Sequence, residues 1–426
     1  MTGPDKTGPE ALVPDDEEGV RDAILGALAE AAPLEILGNA TKRTIGRPVT
    51  ASRTLSLAGL TGITLYEPEE LVLTARAGTA LAEIETVLAE KNQCLAFEPP
   101  DWRAMLRSAG EQTIGGIVAS NLAGPRRIRA GAARDHFLGA RMVTGRGEVV
   151  KIGGRVVKNV TGYDLCKLLA GSYGTLAALT EITLKVLPAA EKTRTVLVFG
   201  LDDEAAQQAM TGALSSPNDV SAAAHIPADL AASSAVGYVV SAGASVTALR
   251  IEGPEPSVEA RCAALREAMG AFGPVEELHF HNSQKFWREI GDVAFFVDGG
   301  ESETAPVWRI SVPPAAAPSV VAEIRRSLEG AHYTDWGGGL IWFRPATGED
   351  AGDKDGGAAI LRAAIDGCGG HATLIRGSAS LRGRVGVFQP QPGALAALSA
   401  RIKEGYDPAH ILNPGRMVAR PPVEGT

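Results

Sequence analysis

Residues 20–100 alternate between short apolar runs and stretches of helical periodicity, a pattern typical of an α/β unit. Apolar residues at helical spacing predict a helix over residues 20–32, which Pro33 ends. A second helix is predicted from residue 81 to residue 88, because its apolar residues share one face. Strands are predicted at residues 34–37, 63–66, 71–75 and 94–97.

The same pattern continues to Pro188, where the first domain is expected to end. A short helix is predicted at residues 163–170. Strands are predicted at residues 136–144, 149–152 and 179–187, the last with side chains alternating between two faces.

From residue 194 the chain becomes rich in alanine and poor in motifs, which indicates a second, smaller α+β domain. Strands are predicted there at residues 196–199, 248–252 and 308–312, and helices at 204–214, 258–271, 358–366 and 393–403. The predicted organisation is a disordered tail at 1–19, a first domain at 20–190, a cap domain at 191–405, and a tail at 406–426 that returns to the first domain.

Composition narrows the class of protein. A net charge of −9 argues against nucleic acid as the main partner, since a phosphate backbone requires a basic face. The 4 cysteines lie far apart, so spacing for an iron–sulfur cluster or structural zinc is absent, and a reducing compartment is favoured. No secretory signal and no run able to span a bilayer is apparent, so we predict a cytoplasmic protein.

Three glycine-bearing segments carry the candidate chemistry. They are GNATKRTIGRP at 38–48, EQTIGGIVASNLAGPRR at 111–127 and GYDLCKLLAGSYGTLAALTEITLKVLP at 162–188. Small residues at this density let a backbone approach a flat or phosphorylated ligand and direct N–H groups at it. A Gly-Gly pair followed by small residues is usually a tight turn with close packing, so the ligand interpretation depends on all three segments occurring together. A Rossmann Gly-x-Gly-x-x-Gly and a Walker ending are both missing, which argues against nicotinamide dinucleotides and nucleoside triphosphates.

These segments, in this order and with the closing ILNPGRM, resemble the FAD-binding domain of the p-cresol methylhydroxylase/vanillyl-alcohol oxidase (PCMH-type) superfamily. The stretches EPPDW, VVKNVTGYDLCKLLAGSYG, VWRISVPP and DWGGGLIWFR resemble more narrowly the family of FAD-binding E subunits of bacterial glycolate oxidase, also called glycolate dehydrogenase. The resemblance implies an α+β fold, in which a two-subdomain PCMH-type FAD-binding domain carries a smaller α+β cap. It also implies a complex with a catalytic flavoprotein subunit and an iron–sulfur subunit that oxidises glycolate or another 2-hydroxy acid.

The resemblance assigns roles residue by residue. Gly38, Asn39, Thr41 and Lys42 would form the pyrophosphate loop of an FAD site. Gln112, Thr113, Ile114, Gly115, Gly116, Ala119, Ser120 and Asn121 would line the diphosphate and the flavin edge. Gly174, Thr175, Ala177 and Leu179 would supply contacts towards the ribityl chain and adenine. Ile114, Ala177 and Leu179 could also be ordinary core residues, since the sheet requires apolar side chains there even without a ligand.

Departures from the catalytic relatives limit what the resemblance implies. Relatives that oxidise hydroxy acids carry a metal-binding histidine pair in the cap and a later Glu-His, which fix and polarise the substrate. Neither pattern is found in this sequence, and no histidine for covalent flavin attachment is evident. His279 and His281 could bind a metal, but no third ligand is in view, so we predict no metal site. His371 lacks partners, and no catalytic residue can be assigned. We therefore expect FAD binding without independent glycolate oxidation.

Alternatives stay open at this point. The chain could be a self-sufficient FAD-dependent oxidoreductase of a small alcohol or 2-hydroxy acid, or a structural subunit with a vestigial FAD site. The arginines at 126, 127, 129 and 134 could dock a partner, hold a substrate carboxylate or form a solvated face. Arg416 in the closing NPGR could reach a carboxylate or face water, and we favour water. Partner subunits could hold the protein at the inner membrane.

Overall fold

The computed structural model describes residues 10–155, 163–297, 305–346 and 355–419. The strands of its first part are β1 (Glu10–Leu12), β2 (Leu34–Leu37), β3 (Arg53–Ser56), β4 (Ile63–Glu67), β5 (Val72–Arg76), β6 (Gln93–Cys94), β7 (Phe137–Thr144), β8 (Val149–Gly153), β9 (Ala177–Lys185) and β10 (Leu187–Pro188). The helices are α1 (Glu17–Ala29), α2 (Leu81–Ala89), α3 (Arg103–Leu106), α4 (Ile114–Ser120), α5 (Arg127–Ala130), α6 (Ala133–His136) and α7 (Leu165–Leu169).

The second part contains strands β11 (Lys192–Phe199), β12 (Ala222–Ile226), β13 (Val246–Gly253), β14 (Val275–Leu278), β15 (Val307–Ser311), β16 (Gly330–Asp335), β17 (Leu340–Pro345) and β18 (His371–Arg376). Its helices are α8 (Asp203–Leu214), α9 (Ala228–Ala231), α10 (Gly237–Ser241), α11 (Glu255–Met269), α12 (Phe280–Gly291), α13 (Ala317–Ser327), α14 (Ala358–Ile365), α15 (Ala379–Arg384) and α16 (Gly393–Tyr406).

Two main sheets build the first part. A parallel three-stranded sheet has the order β1-β3-β2, and an antiparallel five-stranded sheet has the order β4-β5-β9-β7-β8. The apolar faces of α2 and α4 pack on the larger sheet, where Ile84 and Ile117 are fully buried. These helices form because their apolar residues recur at a spacing of three to four positions. The loops that leave β2 and precede α4 are thereby brought to the boundary between the two sheets.

An antiparallel eight-stranded sheet forms the second part, with the order β14-β11-β13-β12-β16-β17-β15-β18. Since side chains alternate along a strand, β15 and β17 bury Trp308 and Phe343 against α13 and α14 on one face. The other face meets the first part, where the indole of Trp342 makes an edge contact with that of Trp102 at 5.5 Å between ring centroids. The cap sheet therefore covers the first domain directly.

Buried charges fasten the two parts together. Arg250 of β13 is 2% exposed and binds both oxygens of Glu98, with Nη1–Oε1 at 2.7 Å and Nη2–Oε2 at 2.8 Å. Arg126 binds Glu252 at 2.8 Å and also lies within ion-pair distance of Glu98. Desolvated arginine–carboxylate pairs of this kind hold groups in fixed geometry, because an unpaired partner would be left buried.

The mixed helix-and-sheet architecture agrees with the α+β prediction, and most predicted elements lie within a few residues of the observed ones. The predicted strand at 94–97 is wrong beyond Cys94, because the chain turns there and Leu95 and Phe97 enter the core. The predicted disorder is also wrong for residues 10–19, which contain β1 and the start of α1. Residues 156–162, part of one motif of the resemblance, lie outside the described residues. The domain limits remain a prediction.

Candidate functional site

A groove of about 780 Å³, open to solvent, lies where the three glycine-bearing segments meet. It is lined by Ile36, Leu37, Gly38, Asn39, Ala40, Thr41, Lys42, Arg43, Leu57, Ala77, Thr113, Gly115, Gly116, Ala119, Ser120, Ser172, Tyr173, Gly174, Ala177, Leu179 and Arg416. The segments are far apart in sequence but together line this one groove, and concave sites of this kind are where small molecules and cofactors bind.

The first wall of the groove is the loop after β2. A Cβ on Gly38 would stand 2.4 Å from Thr113 Oγ1, so only glycine lets this loop approach the start of α4. Ala40 adopts a positive φ of 58°, which turns the chain sharply after the strand. In the described part of the chain, the backbone N–H groups of residues 39–42 donate to no other protein atom. They are available to an anionic ligand.

The second wall is the start of α4, which is fixed to the end of β5 in the five-stranded sheet. Thr113 caps the helix by accepting a hydrogen bond from the Gly116 N–H at 3.2 Å. The Gly115 N–H donates to the Ala77 carbonyl at 2.8 Å, so the backbone of Gly115 lies directly against the end of β5. A Cβ on Gly116, in contrast, would meet only Thr113 Oγ1 at 3.3 Å. Gly116 therefore leaves open space in the groove.

The third wall is the turn at 171–174, which is held by α4 and by the closing segment of the chain. The Tyr173 N–H donates to the Ala119 carbonyl at 2.9 Å. Asn413 Nδ2 donates to the carbonyls of Tyr173 at 2.7 Å and Ile36 at 3.1 Å, and its Oδ1 accepts from the Ile36 N–H at 2.8 Å. One amide side chain thus joins β2, the third wall and the closing segment.

Lys42 is the main half-buried cation facing this groove. Its Nζ donates to Gln112 Oε1 at 2.6 Å, and within the described residues it forms no ion pair. Burial lowers the pKa of Lys42 to about 8, with Asp101 opposing and Arg103 adding to the shift. The amine is therefore still mostly protonated at neutral pH. A desolvated ammonium without a carboxylate favours an anionic ligand beside it.

Arg416 closes the far side of the groove, and the expectation that it faces water is wrong. Its side chain is 5% exposed, with Nη1 donating to the Ile45 carbonyl at 2.9 Å and Nη2 to Glu35 Oε1 at 3.0 Å. Burial lowers the pKa of Arg416, and its Nε has no hydrogen-bond partner. A buried donor without a partner beside a groove is a further sign of a polar ligand.

Most of the predicted site residues line the groove. Those that do so are Gly38, Asn39, Thr41, Lys42, Thr113, Gly115, Gly116, Ala119, Ser120, Gly174, Ala177 and Leu179. Their contact with FAD remains a prediction. The chain itself also shows a second use for Gly115, since its Cβ position is only 2.7 Å from the Ala77 carbonyl oxygen and the glycine serves close backbone packing.

The other predicted residues lie behind the lining. Gln112 is 6% exposed, and its Oε1 orients Lys42 by accepting a hydrogen bond from Nζ. Its Nε2 donates to the Pro100 carbonyl at 3.2 Å. Ile114 is core, at 1% exposure. Asn121 ends α4 and accepts the Arg134 N–H, and the Thr175 hydroxyl donates to the Ser172 carbonyl at 2.7 Å.

Several lining residues were missed by sequence reasoning. Ile36, Leu37, Ala40 and Arg43 flank predicted positions, so the loop as a whole was recognisable. Leu57 and Ala77 carry no local signal, because small and apolar residues occur throughout the chain. The available clue for Ser172, Tyr173 and Arg416 was that they stand inside the quoted GSYG and NPGR motifs.

The arginine segment after α4 is not one basic face. Arg126 is held by Glu98 and Glu252, and Arg129 pairs with Asp219 at 2.9 Å, so a common docking patch is excluded for these two. The guanidinium of Arg127 instead lies 4.6 Å from the centroid of the Trp336 ring, in the cap.

The residues present fit a dinucleotide cofactor. The groove offers unused N–H groups at 39–42, the half-buried cation of Lys42, and open space above Gly116 for a closely approaching ligand. A diphosphate requires the first two features and a planar ring system requires the third. Ala177 and Leu179 add an apolar wall beside them.

Comparison with known proteins gives this geometry its context. The family model described as FAD binding domain matches residues 10–153. The glycolate oxidase subunit GlcE of Escherichia coli is 36% identical over 407 residues, which is 95% of this chain and 98% of that protein. The glycolate oxidase subunit GlcD of Bacillus subtilis is 34% identical over 166 residues, 39% of this chain and 33% of that protein.

Solved structures show the same fold at low sequence identity. A 4-ethylphenol oxidase from Gulosibacter chungangensis superposes with a TM-score of 0.69 at 14% identity, over 98% of this chain and 91% of its own. An alkyldihydroxyacetonephosphate synthase superposes with a TM-score of 0.68 at 15% identity, over 95% of this chain and 76% of its own. The predicted PCMH-type fold is thereby confirmed. Within the described ranges, every helix is too short or too polar to cross a bilayer.

Proposed function

Because this chain belongs to the GlcE family of glycolate oxidase subunits, we propose that it is the FAD-binding subunit of a multi-subunit glycolate oxidase. The complex oxidises glycolate to glyoxylate, a reaction that removes two electrons and two protons from the CH–OH group. The observation that carries the proposal is the single groove in which three distant segments place free N–H groups, one half-buried cation and an open glycine face.

The chain's own residues have separable tasks in this groove. The N–H groups of residues 39–42 and the ammonium of Lys42 bind the diphosphate, and Gln112 holds the ammonium in place. Gly116 lets the flavin approach α4, and Ala177 and Leu179 exclude water from one side. When bound, the flavin supplies the two-electron chemistry, while the protein positions it.

Electrons then have to leave the chain. Cys166 and Cys262 are buried free thiols, and the described residues contain no group of three His, Cys, Asp or Glu side chains that could hold a metal ion. Cys94 and Cys368 are single, unpaired thiols. We therefore assign the iron–sulfur cluster to one partner subunit and expect a second partner, related to GlcD, to complete the site of hydroxy-acid oxidation. A cytoplasmic complex, brought to the inner membrane by those partners, is part of this proposal.

Spectroscopy of the purified full chain tests the proposal. We expect flavin absorbance after reconstitution with FAD, and a thermal shift equivalent to about 2.7 kcal/mol at a hundred times the dissociation constant. We expect glycolate to reduce the bound flavin only when the partner subunits are present. A chain that stays colourless with FAD would refute the cofactor assignment, and reduction by glycolate alone would instead identify a self-sufficient enzyme.

A further inference from the structure

A second polar cluster lies on the cap sheet, beyond the end of the groove. Trp336 follows β16 and is 6% exposed, with its indole N–H donating to the Gly124 carbonyl of the first domain at 3.1 Å. The guanidinium carbons of Arg127 and Arg309 lie 4.6 Å and 5.0 Å from the centroid of this ring. One arginine comes from each domain, so the cluster exists only at their junction.

Neither guanidinium forms an ion pair or a hydrogen bond among the described residues, and both side chains are partly buried. Asp135 is the carboxyl that acts on Arg127, but burial outweighs it and lowers the pKa of Arg127. Asp335 is the carboxyl that acts on Arg309, but burial raises the pKa of Asp335 to about 7, and its Oδ1 accepts the Trp336 N–H at 2.6 Å. Asp335 is therefore a weak counter-ion at neutral pH.

Other arginines at the domain junction are paired with carboxylates. Arg126 and Arg250, at the same domain junction, are each neutralised by Glu98 and Glu252. Burial lowers the pKa of Arg309 to about 10, and nearby Arg127 adds to the shift, yet the group stays protonated at neutral pH. Two retained charges without carboxylates indicate a site that an external anion completes.

Strand register adds a third polar group. Arg309 of β15 stands opposite Thr373 of β18, so His371, two residues along, shares the face of Arg309. Burial and the two arginines lower the pKa of His371, which keeps its imidazole neutral at pH 7 and able to donate or accept a hydrogen bond.

Tyr173 connects this cluster to the groove. It lines the groove, its ring packs on that of Phe388 at 5.2 Å, and the positive charge of Arg309 opposes the rise in its pKa caused by burial. A small anion bound at the arginines would thus lie at the cap end of the cavity proposed for FAD.

We propose that Arg127 and Arg309, supported by His371 and by the indole of Trp336, bind the carboxylate of a small 2-hydroxy acid or of its 2-oxo product. The planar fork of a guanidinium matches the two oxygens of a carboxylate. The chemical class of the ligand rests on the proposed function; the existence of an anion site rests on the geometry alone.

Oxalate, an unreactive dicarboxylate, is the probe. Calorimetric titration of the full chain, with and without FAD, is expected to show binding that weakens at least tenfold in Arg309→Met and in Arg127→Met. Arg309→Lys should recover part of the loss. Arg129→Met is the matched control, since Arg129 is exposed and pairs with Asp219, and it should bind oxalate like the unmodified chain. FAD affinity should be unchanged in all variants.

The outcomes separate the two proposals. Oxalate binding to a chain that fails to bind FAD would support the anion site and refute the cofactor assignment. Absence of oxalate binding, or unaltered binding in Arg309→Met, would overturn the anion site and leave the flavin proposal intact. Loss of assembly with the partner subunits in Arg309→Met, with oxalate binding retained, would overturn the site in favour of a contact with a partner carboxylate.

Discussion

Adjacent glycines at the start of α4 should respond oppositely to the same substitution. In Gly115→Ala the new methyl would stand 2.7 Å from the carbonyl oxygen and 2.9 Å from the Cβ of Ala77. That carbonyl also accepts the Gly115 N–H, so neither partner can move without breaking a hydrogen bond. Overpacking against a fixed backbone costs on the order of 1–3 kcal/mol of folding free energy, and the better helix propensity of alanine returns at most about 1 kcal/mol.

In Gly116→Ala the methyl meets only Thr113 Oγ1, at 3.3 Å, and points into the groove. The apoprotein should keep its stability or gain up to about 1 kcal/mol. The substitution reduces the space that we propose for the flavin, and a steric penalty of about 1–3 kcal/mol corresponds to a rise of roughly five- to 150-fold in the dissociation constant of FAD.

Urea unfolding of the apoprotein and fluorescence titration with FAD measure the two effects separately. Gly26→Ala is the control, because a Cβ at this position of α1 meets nothing within 4 Å. It should gain slightly in stability and bind FAD unchanged. The reasoning would be refuted if Gly116→Ala bound FAD like the unmodified chain, or if both substitutions lowered stability equally.

Three further changes test the charges of the molecule. Lys42→Met should weaken FAD binding at least tenfold without loss of apoprotein stability, as seen by titration and thermal melting, because it removes a half-buried cation that forms no ion pair in the described chain. Asp335→Asn should become increasingly more stable than the unmodified chain between about pH 4 and pH 7. Burial raises the pKa of the Asp335 carboxyl from 3.8 to about 7, so the folded unmodified protein favours the protonated form and loses stability as the pH rises through this window. The loss is on the order of 4 kcal/mol and is measured by urea unfolding. Equal stability of the two proteins at pH 8 would contradict this. Glu98→Gln should lower the free energy of unfolding by about 3 kcal/mol, because it leaves Arg250 buried with less counter-charge. Glu259→Gln, at an exposed ion pair, should lower it by less than about 1 kcal/mol. Similar losses for the two variants in chemical denaturation would argue against a structural role for the buried network.

Local sequence signals predicted elements well where chain breakers flank them. Leu34–Leu37 was predicted with its observed limits, because Pro33 and Gly38 interrupt the backbone on either side. The run at 94–97 is equally apolar and is followed by Pro99 and Pro100, but its side chains enter the core from a turn instead of a strand. Hydrophobicity indicates burial, and flanking chain breakers limit a segment without fixing its backbone geometry.

The groove was predictable as a set of loops but not as a set of contacts. Gln112 and Thr175 stand within the recognised motifs, yet their side chains bind the protein itself. Arg416 meets Glu35 across 381 residues of chain, a distance at which composition and spacing carry no signal. The lack of an ion-pair partner for Arg309 could not be predicted either, since a sequence does not show which arginines lie beside a carboxylate.

The participation of residues near position 413 in the groove has a consequence for biosynthesis. Leu34 donates its N–H to the Ile411 carbonyl at 2.7 Å, and the Asn413 N–H donates to the Leu34 carbonyl at 3.0 Å, so the late segment extends the earliest parallel sheet. A nascent chain still attached to the ribosome with these residues inside the exit tunnel has an incomplete cavity. We therefore expect cofactor loading to follow the emergence of residues 411–413 from the ribosome, and a polypeptide released before that point would expose the edge of β2 to chaperones and proteases.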